Sequence, residues 1–200
     1  MAWKIERWLA EVFPGEEQVY LEYRNLPPRE LVIVSAAVLD SALAELLSLR
    51  LMDLPKEAEP FLGVDGDGRA PVGSFGARIQ AALLVGIIVP EDAALLRQIK
   101  SLRNLFAHRA RVDFVHPSAV KITQELCRLW IKRSAALFNQ SEEFIGTTLQ
   151  EIKDNLSKDE AAGIGLLLAI FSVYQAYFHR MHGRIERLGN ALSKPDSVLN

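Results

Sequence analysis

Apolar positions along this chain recur mostly at three-four spacing, and clean alternation never runs beyond a few residues. That pattern predicts helices and no strands. Ala2 to Phe13 reads as a short amphipathic helix, ended by Pro14-Gly15. A second helix starts near Pro28, since proline suits the first helical turn, and runs to about Asp53. Its buried face is Val32, Ala36, Leu39, Leu43, Leu46 and Leu47. Pro55 to Gly73, with four glycines and three prolines, reads as a loop. Ser74 can cap a third helix, Phe75 to Ile88. Pro90 opens a fourth, to about His108, with Glu91 and Asp92 in the first turn, where the helix dipole favours acids. Pro117 opens a fifth, to about Phe138, and Ser141 caps a sixth, to about Leu156. Ser157-Lys-Asp-Glu160 reads as a capping box for a seventh, which Gly183 should end. The expectation is all-α, a single-domain helical bundle of about seven helices.

Length agrees with one domain: 200 residues bury roughly 70% of the unfolded chain's surface, so a core forms without staples. The single cysteine, Cys127, excludes a disulfide framework and any Cys-based zinc cluster, and it reads as a small core residue. A net charge of -2 excludes a generally basic, histone-like nucleic-acid binder. The charge is nevertheless segregated. Arg97 to Arg133 holds nine Lys/Arg against Asp113 and Glu125, which is +7, leaving -9 on the rest. This is either the solvated face of two helices or a phosphate-facing patch.

The N-terminus carries Lys4, Glu6, Arg7 and Glu11, which break any apolar signal region, so a cytoplasmic protein is expected. One stretch qualifies that. Ala161 to Phe178 has no charge and spans about 27 Å as a helix, close to a bilayer core. It reads as a central core helix, a dimer-interface helix or a membrane span. A membrane-associated protein is therefore a further alternative.

Two groups of residues suggest function. Arg103-Asn104-x-x-x-His108 ends the fourth helix and resembles the signature of the HEPN superfamily, small helical bundles that commonly dimerise. The resemblance implies metal-independent RNA cleavage. His108 would be general acid or base at a ribose 2′-OH, Arg103 would hold the phosphate and Asn104 would orient one of them. On one ideal helix, residues five apart point about 140° from each other. Convergence would need fraying before His108 or a second protomer. The plainer reading is a C-terminal histidine favoured by the dipole and an arginine paired to a carboxylate such as Asp40.

The second group is longer. Leu39-Asp40, the Gly73-Ser-Phe-x-x-Arg78-Ile79 turn into a helix, and the ending Leu102-Arg103-Asn104-x-x-Ala107-His108 together resemble the mannitol operon repressor (MtlR-like) family, over about residues 30 to 135. The chain then divides into an MtlR/HEPN-like core, 28–135, and a C-terminal helical extension, 136–200. The resemblance implies a helical, dimeric regulator without a recognised catalytic activity. Asp40, Arg78, Arg109 and Arg111 are the candidate binding residues beside Arg103, Asn104 and His108.

Other patterns fail on their chemistry. Ala82, Gly86, Ile87 and Leu95 fit a helix-turn-helix, but Asp92 stands where an apolar residue is needed and Pro90 interrupts the turn, so sequence-specific DNA reading is not expected. Asp65-Gly-Asp67-Gly lacks the later ligands of a calcium loop, and no Gly-Lys-Ser/Thr follows it. The helix start at Ser74 to Arg78 could hold an anion, though the glycines before it are sufficiently explained as turns that let Phe75 tuck inward. His179 and His182, three apart near a helix end and flanked by Arg180 and Arg184, read as a surface pair rather than a metal site. The expected function is a non-enzymatic transcriptional or metabolic regulator acting through a protein partner, as a homodimer, with no cofactor. The alternative is a HEPN-type ribonuclease or RNA-binding module.

Overall fold

The computed structural model of the chain describes residues 22–51, 55–63 and 69–192. Among them the elements are eight helices: α1 (Pro28–Ser48), α2 (Pro55–Leu62), α3 (Phe75–Leu84), α4 (Pro90–His108), α5 (Pro117–Phe138), α6 (Glu142–Thr148), α7 (Gln150–Asn155) and α8 (Glu160–Leu192). The all-α reading holds, with eight helices where about seven were expected. The proposed helix from Ala2 to Phe13 lies outside the described residues.

α1 is the central helix, packed by α3 and α4 on one side and by α8 on another. Its apolar residues are therefore buried around most of its circumference: Leu31, Leu39, Leu43 and Leu46 are fully covered, and Val38 and Ala44 nearly so. A helix apolar all round is stable in water only when surrounded in this way. Each such side chain contributes on the order of 1.5–3 kcal/mol by leaving water. α5 lies along α4 and also touches α8, closing the bundle. α1 and α8 are long and apolar enough to cross a membrane, but 67% and 56% of their apolar windows are buried inside the bundle.

Helix boundaries follow local chemistry, with several differences from expectation. α4 and α5 run as anticipated, and Asn139 ends α5 in the left-handed conformation that asparagine tolerates. α1 stops at Ser48 rather than near Asp53, in a turn over Leu49–Leu51. The expected loop after it contains α2, whose first residues, Pro55-Lys-Glu-Ala, place a proline and an acid where a first turn accepts them. Gly63, at a φ of 65°, follows α2 in the left-handed region. α3 ends four residues early because Gly86 takes a φ of 71° and turns the chain, so Ile87 and Ile88 are buried from a turn. The sixth predicted helix is two short ones, α6 and α7, broken at Leu149.

α8 departs most. Its start is held by the Asp159 carboxylate, which accepts from the Ala161 N–H at 2.9 Å, and Ser157 lies in the preceding turn. The Glu160 carboxylate reaches instead to the Phe114 N–H, at 3.3 Å. Gly183 does not end the helix, which continues to Leu192. A glycine weakens a helix by only about 1 kcal/mol, and burial of His182 and Ile185 on either side of it favours continuation. Near the other end, Gly163 permits a close approach. A Cβ there would stand 2.7 Å from Phe114 Cγ and 2.8 Å from Phe114 Cβ. Phe114 is fully buried and its ring centroid is 5.2 Å from that of Phe106. These contacts seat the α4–α5 connection on the bundle.

Candidate functional site

The sequence candidates gather at the C-terminal end of α4 and the connection that follows. α4 remains helical through His108, and Arg109 turns the chain to an extended conformation. Arg103 and His108 are both exposed, as are Arg109 and Arg111. Because the helix does not fray, Arg103 and His108 of one chain leave the axis in directions about 140° apart and share no cleft. Arg103 donates from Nη1 to Asn104 Oδ1 at 3.1 Å. The connection itself is tied down. Arg29, from the first turn of α1, donates to the carbonyls of Arg109 at 2.6 Å and Ala110 at 2.8 Å. His116 Nδ1 accepts from the Ser118 N–H and starts α5. The result is an exposed cationic rim on a fixed backbone. Along the chain from Ala93 to Val112 there is no acid, so no carboxylate of that stretch offsets it.

Asp40 and Arg78 are not on this rim. Arg78 Nη1 is 2.8 Å from Asp40 Oδ1, Nη2 donates to the Leu62 carbonyl at 2.9 Å and Nε to the Val72 carbonyl at 3.1 Å. One buried guanidinium thus joins α1, the end of α2 and the approach to α3. It turns back into the fold rather than standing ready for an anion at the helix start, although Ser74 caps that start through the Ala77 N–H as expected. Burial pushes the Asp40 carboxyl above its usual range, outweighing the opposing pull of Arg78 and then of Arg103. Arg103 therefore acts on Asp40 at a distance, while Arg78 is its ion-pair partner.

Two buried polar groups were not singled out as functional from the sequence. Asp92 is completely buried. It accepts from Arg133 Nε at 2.5 Å and Nη2 at 3.1 Å, from the Tyr174 hydroxyl at 2.7 Å and from the Val89 N–H at 3.2 Å. The group locks α4, α5 and α8 together. Arg133 also lies over the Tyr177 ring, 5.5 Å from its centroid. Burial works against the Arg133 charge, but the hydrogen bonds and charge of Asp92 outweigh it and hold its pKa above the ordinary value. Burial, then the Asp92 charge and hydrogen bond, pushes the Tyr174 phenol far up; Tyr177 moves the same way for the same leading reason. Arg133 thus leaves the solvated face expected of the basic stretch, whereas Arg128 stays exposed with Glu125. The available signal was Asp92 standing at an apolar register position.

His182 is the other. It is buried, not one of a surface pair, with Nε2 3.0 Å from Glu45 Oε1 and Nδ1 3.4 Å from Glu186 Oε2. His179 is exposed. Among the described residues no three His, Cys, Asp or Glu side chains gather as a metal site would require. Cys127 is buried in α5, and burial raises its thiol pKa, as fits a core residue. The chain matches no family model, no curated protein and no solved structure.

Proposed function

We propose that this chain is a non-enzymatic, cytoplasmic regulator of the MtlR-like type, working as a homodimer through contacts with a protein partner. One observation carries this reading. The resemblance residues Asp40 and Arg78 are used up in joining helices, which makes the shared pattern a scaffold. Arg103 and His108 at the end of α4, with Arg109 and Arg111 in the connection after it, are what that scaffold presents outward. A rigid rim of arginines suits a partner surface rich in carboxylates, since guanidinium forks bind carboxylates bidentately. Substitution of Arg109→Glu with Arg111→Glu tests it. The partner captured by the wild-type chain should be lost, with helix content and melting temperature retained. Undiminished capture by the double variant would overturn the role of the rim.

A second reading is a HEPN-type ribonuclease, favoured by the exposure of both Arg103 and His108. Two protomers related by a two-fold axis could bring Arg103 of one beside His108 of the other, which one helix cannot do. The test is incubation of the purified chain with labelled tRNA and mRNA in EDTA, with His108→Ala alongside. Cleavage by the wild type alone, leaving 2′,3′-cyclic phosphate ends, would replace the regulator reading. Membrane association through 161–178 is countered by the packing of Leu166, Ile170 and Phe171 in the bundle core. Release by alkaline carbonate would exclude it.

A further inference from the structure

The two ends of α5 carry opposite charge. Before its first turn stands the cationic rim, with Val115 exposed beside it. After its last turn the chain reverses: Asn139 is left-handed, and Ser141 Oγ accepts from the Phe144 N–H at 3.1 Å to start α6. This pole presents Phe138 at 49% exposure and Phe144 at 57%, beside the exposed acids Glu142 and Glu143 in the first turn of α6. From Ser134 to Ile152 there is no Lys, Arg or His, the mirror of the acid-free stretch at the rim. None of Glu142, Glu143, Arg103, Arg109 and Arg111 forms an ion pair among the described residues. Single exposed apolar residues are ordinary, but aromatic side chains and arginines are enriched where proteins meet.

We propose that this acidic, aromatic pole docks on the cationic rim of a second copy of the chain. Charge complementarity selects that occupant. Guanidinium groups stack on aromatic faces and fork onto carboxylates, so Arg109 and Arg111 can engage the phenylalanine rings and the two glutamates together. The core already uses this combination, where Arg133 meets both the Asp92 carboxylate and the Tyr177 ring. Rim against rim, or pole against pole, would set like charges together; pole against rim sets opposite charges together.

One chain cannot satisfy itself, because the 22 residues of α5 hold its two ends about 33 Å apart. Two copies running antiparallel about a two-fold axis make both contacts at once, and the assembly closes as a dimer. The inference rests on the reading of the rim as a carboxylate-binding surface and adds its regulation: the second copy covers the rim until the partner displaces it.

Sedimentation equilibrium of the full chain over a concentration series tests this, with far-UV circular dichroism to show that each variant is folded. The wild type should pass from monomer to dimer, and added salt should push it back. Phe138→Ser with Phe144→Ser should weaken dimerisation about tenfold or more through loss of the aromatic anchors. Glu142→Arg with Glu143→Arg should do the same, as should Arg109→Glu with Arg111→Glu. Mixing these last two double variants should restore the dimer, since each pole then meets a rim of opposite sign. A wild type that stays monomeric at every concentration would overturn the proposal. So would dimers that survive in the double variants alone, or a mixture that stays monomeric. A labelled oligoglutamate peptide judges the rim separately. It should bind the Phe138→Ser, Phe144→Ser chain more tightly than the wild type, and Arg109→Glu with Arg111→Glu should abolish its binding. Peptide binding undiminished in the rim variant would sink the carboxylate-binding reading, whatever the sedimentation shows.

Discussion

Replacing Asp92 with alanine should be among the most damaging single changes in this chain. The carboxylate is fully buried and receives three side-chain hydrogen bonds and one from the backbone. Its loss leaves the Arg133 guanidinium, with a side chain 12% exposed, lacking its counter-charge in the bundle. Breaking one partner of a buried pair costs about 3–5 kcal/mol. The orphaned Tyr174 hydroxyl adds about 1–3 kcal/mol. The Tyr177 ring under Arg133 and its slight exposure give part of this back. A net loss of about 3–5 kcal/mol is expected, a large share of the ~5–15 kcal/mol typical of a folded domain. The logic makes a sharper statement about the pair. Asp92→Ala combined with Arg133→Met should be no less stable than Asp92→Ala alone, because the second change removes the stranded charge. Urea unfolding followed by far-UV circular dichroism measures all four members of the cycle, provided the denaturant slopes agree. A loss under about 1 kcal/mol for Asp92→Ala would refute the reasoning, as would single effects that simply add.

Three further outcomes are expected. Gly163→Ala should lower stability by about 1–3 kcal/mol through its collision with Phe114, whereas Gly165→Ala, with nothing within 4 Å of the new Cβ, should be neutral or slightly stabilising; thermal unfolding compares them. Arg78→Ala should destabilise by about 2–4 kcal/mol because Asp40 and two buried carbonyls lose their donor, while exposed Arg109→Ala should stay within about 0.5 kcal/mol. Tyr23, Tyr174 and Tyr177 all have raised pKa values, with burial as the leading cause. Their contribution to stability is therefore full below the ordinary tyrosine range, about 10, and is lost as pH rises above it, because the unfolded chain ionises first. Phenolate absorbance should appear together with unfolding, and Tyr174→Phe should make the alkaline loss of stability less steep. Phenolate absorbance that rises fully before the helices melt would contradict that.

Much of the bundle was legible along the chain because its signals are local. Prolines at Pro28, Pro90 and Pro117 and serines at Ser74 and Ser141 mark helix starts within a residue or so, since they act on the first turn of their own helix. Where a start or stop depended on packing, local reading failed. Gly183 looked like a terminus, yet helix α8 passes through it, supported by buried neighbours. The charge-free stretch of α8 read as a core helix or a dimer-interface helix ahead of a membrane span. In the bundle its tyrosine hydroxyl meets Asp92 and its phenylalanines meet other side chains, contacts that no local pattern in the sequence shows.

The residues that carry chemistry divide the same way. Arg103, Asn104 and His108 were visible as a motif because five residues on a helix are a local pattern, and even their divergence followed from helix geometry. Asp40 with Arg78, Asp92 with Arg133 and Tyr174, and Glu45 with His182 are 38, 41, 82 and 137 positions apart in the chain. No periodicity links such residues. Helix type, helix starts and the apolar faces come from the backbone's short-range rules. Which charges meet, and which are buried, follows from how α1, α4, α5 and α8 pack, because a charge enters a core only where another element brings its partner.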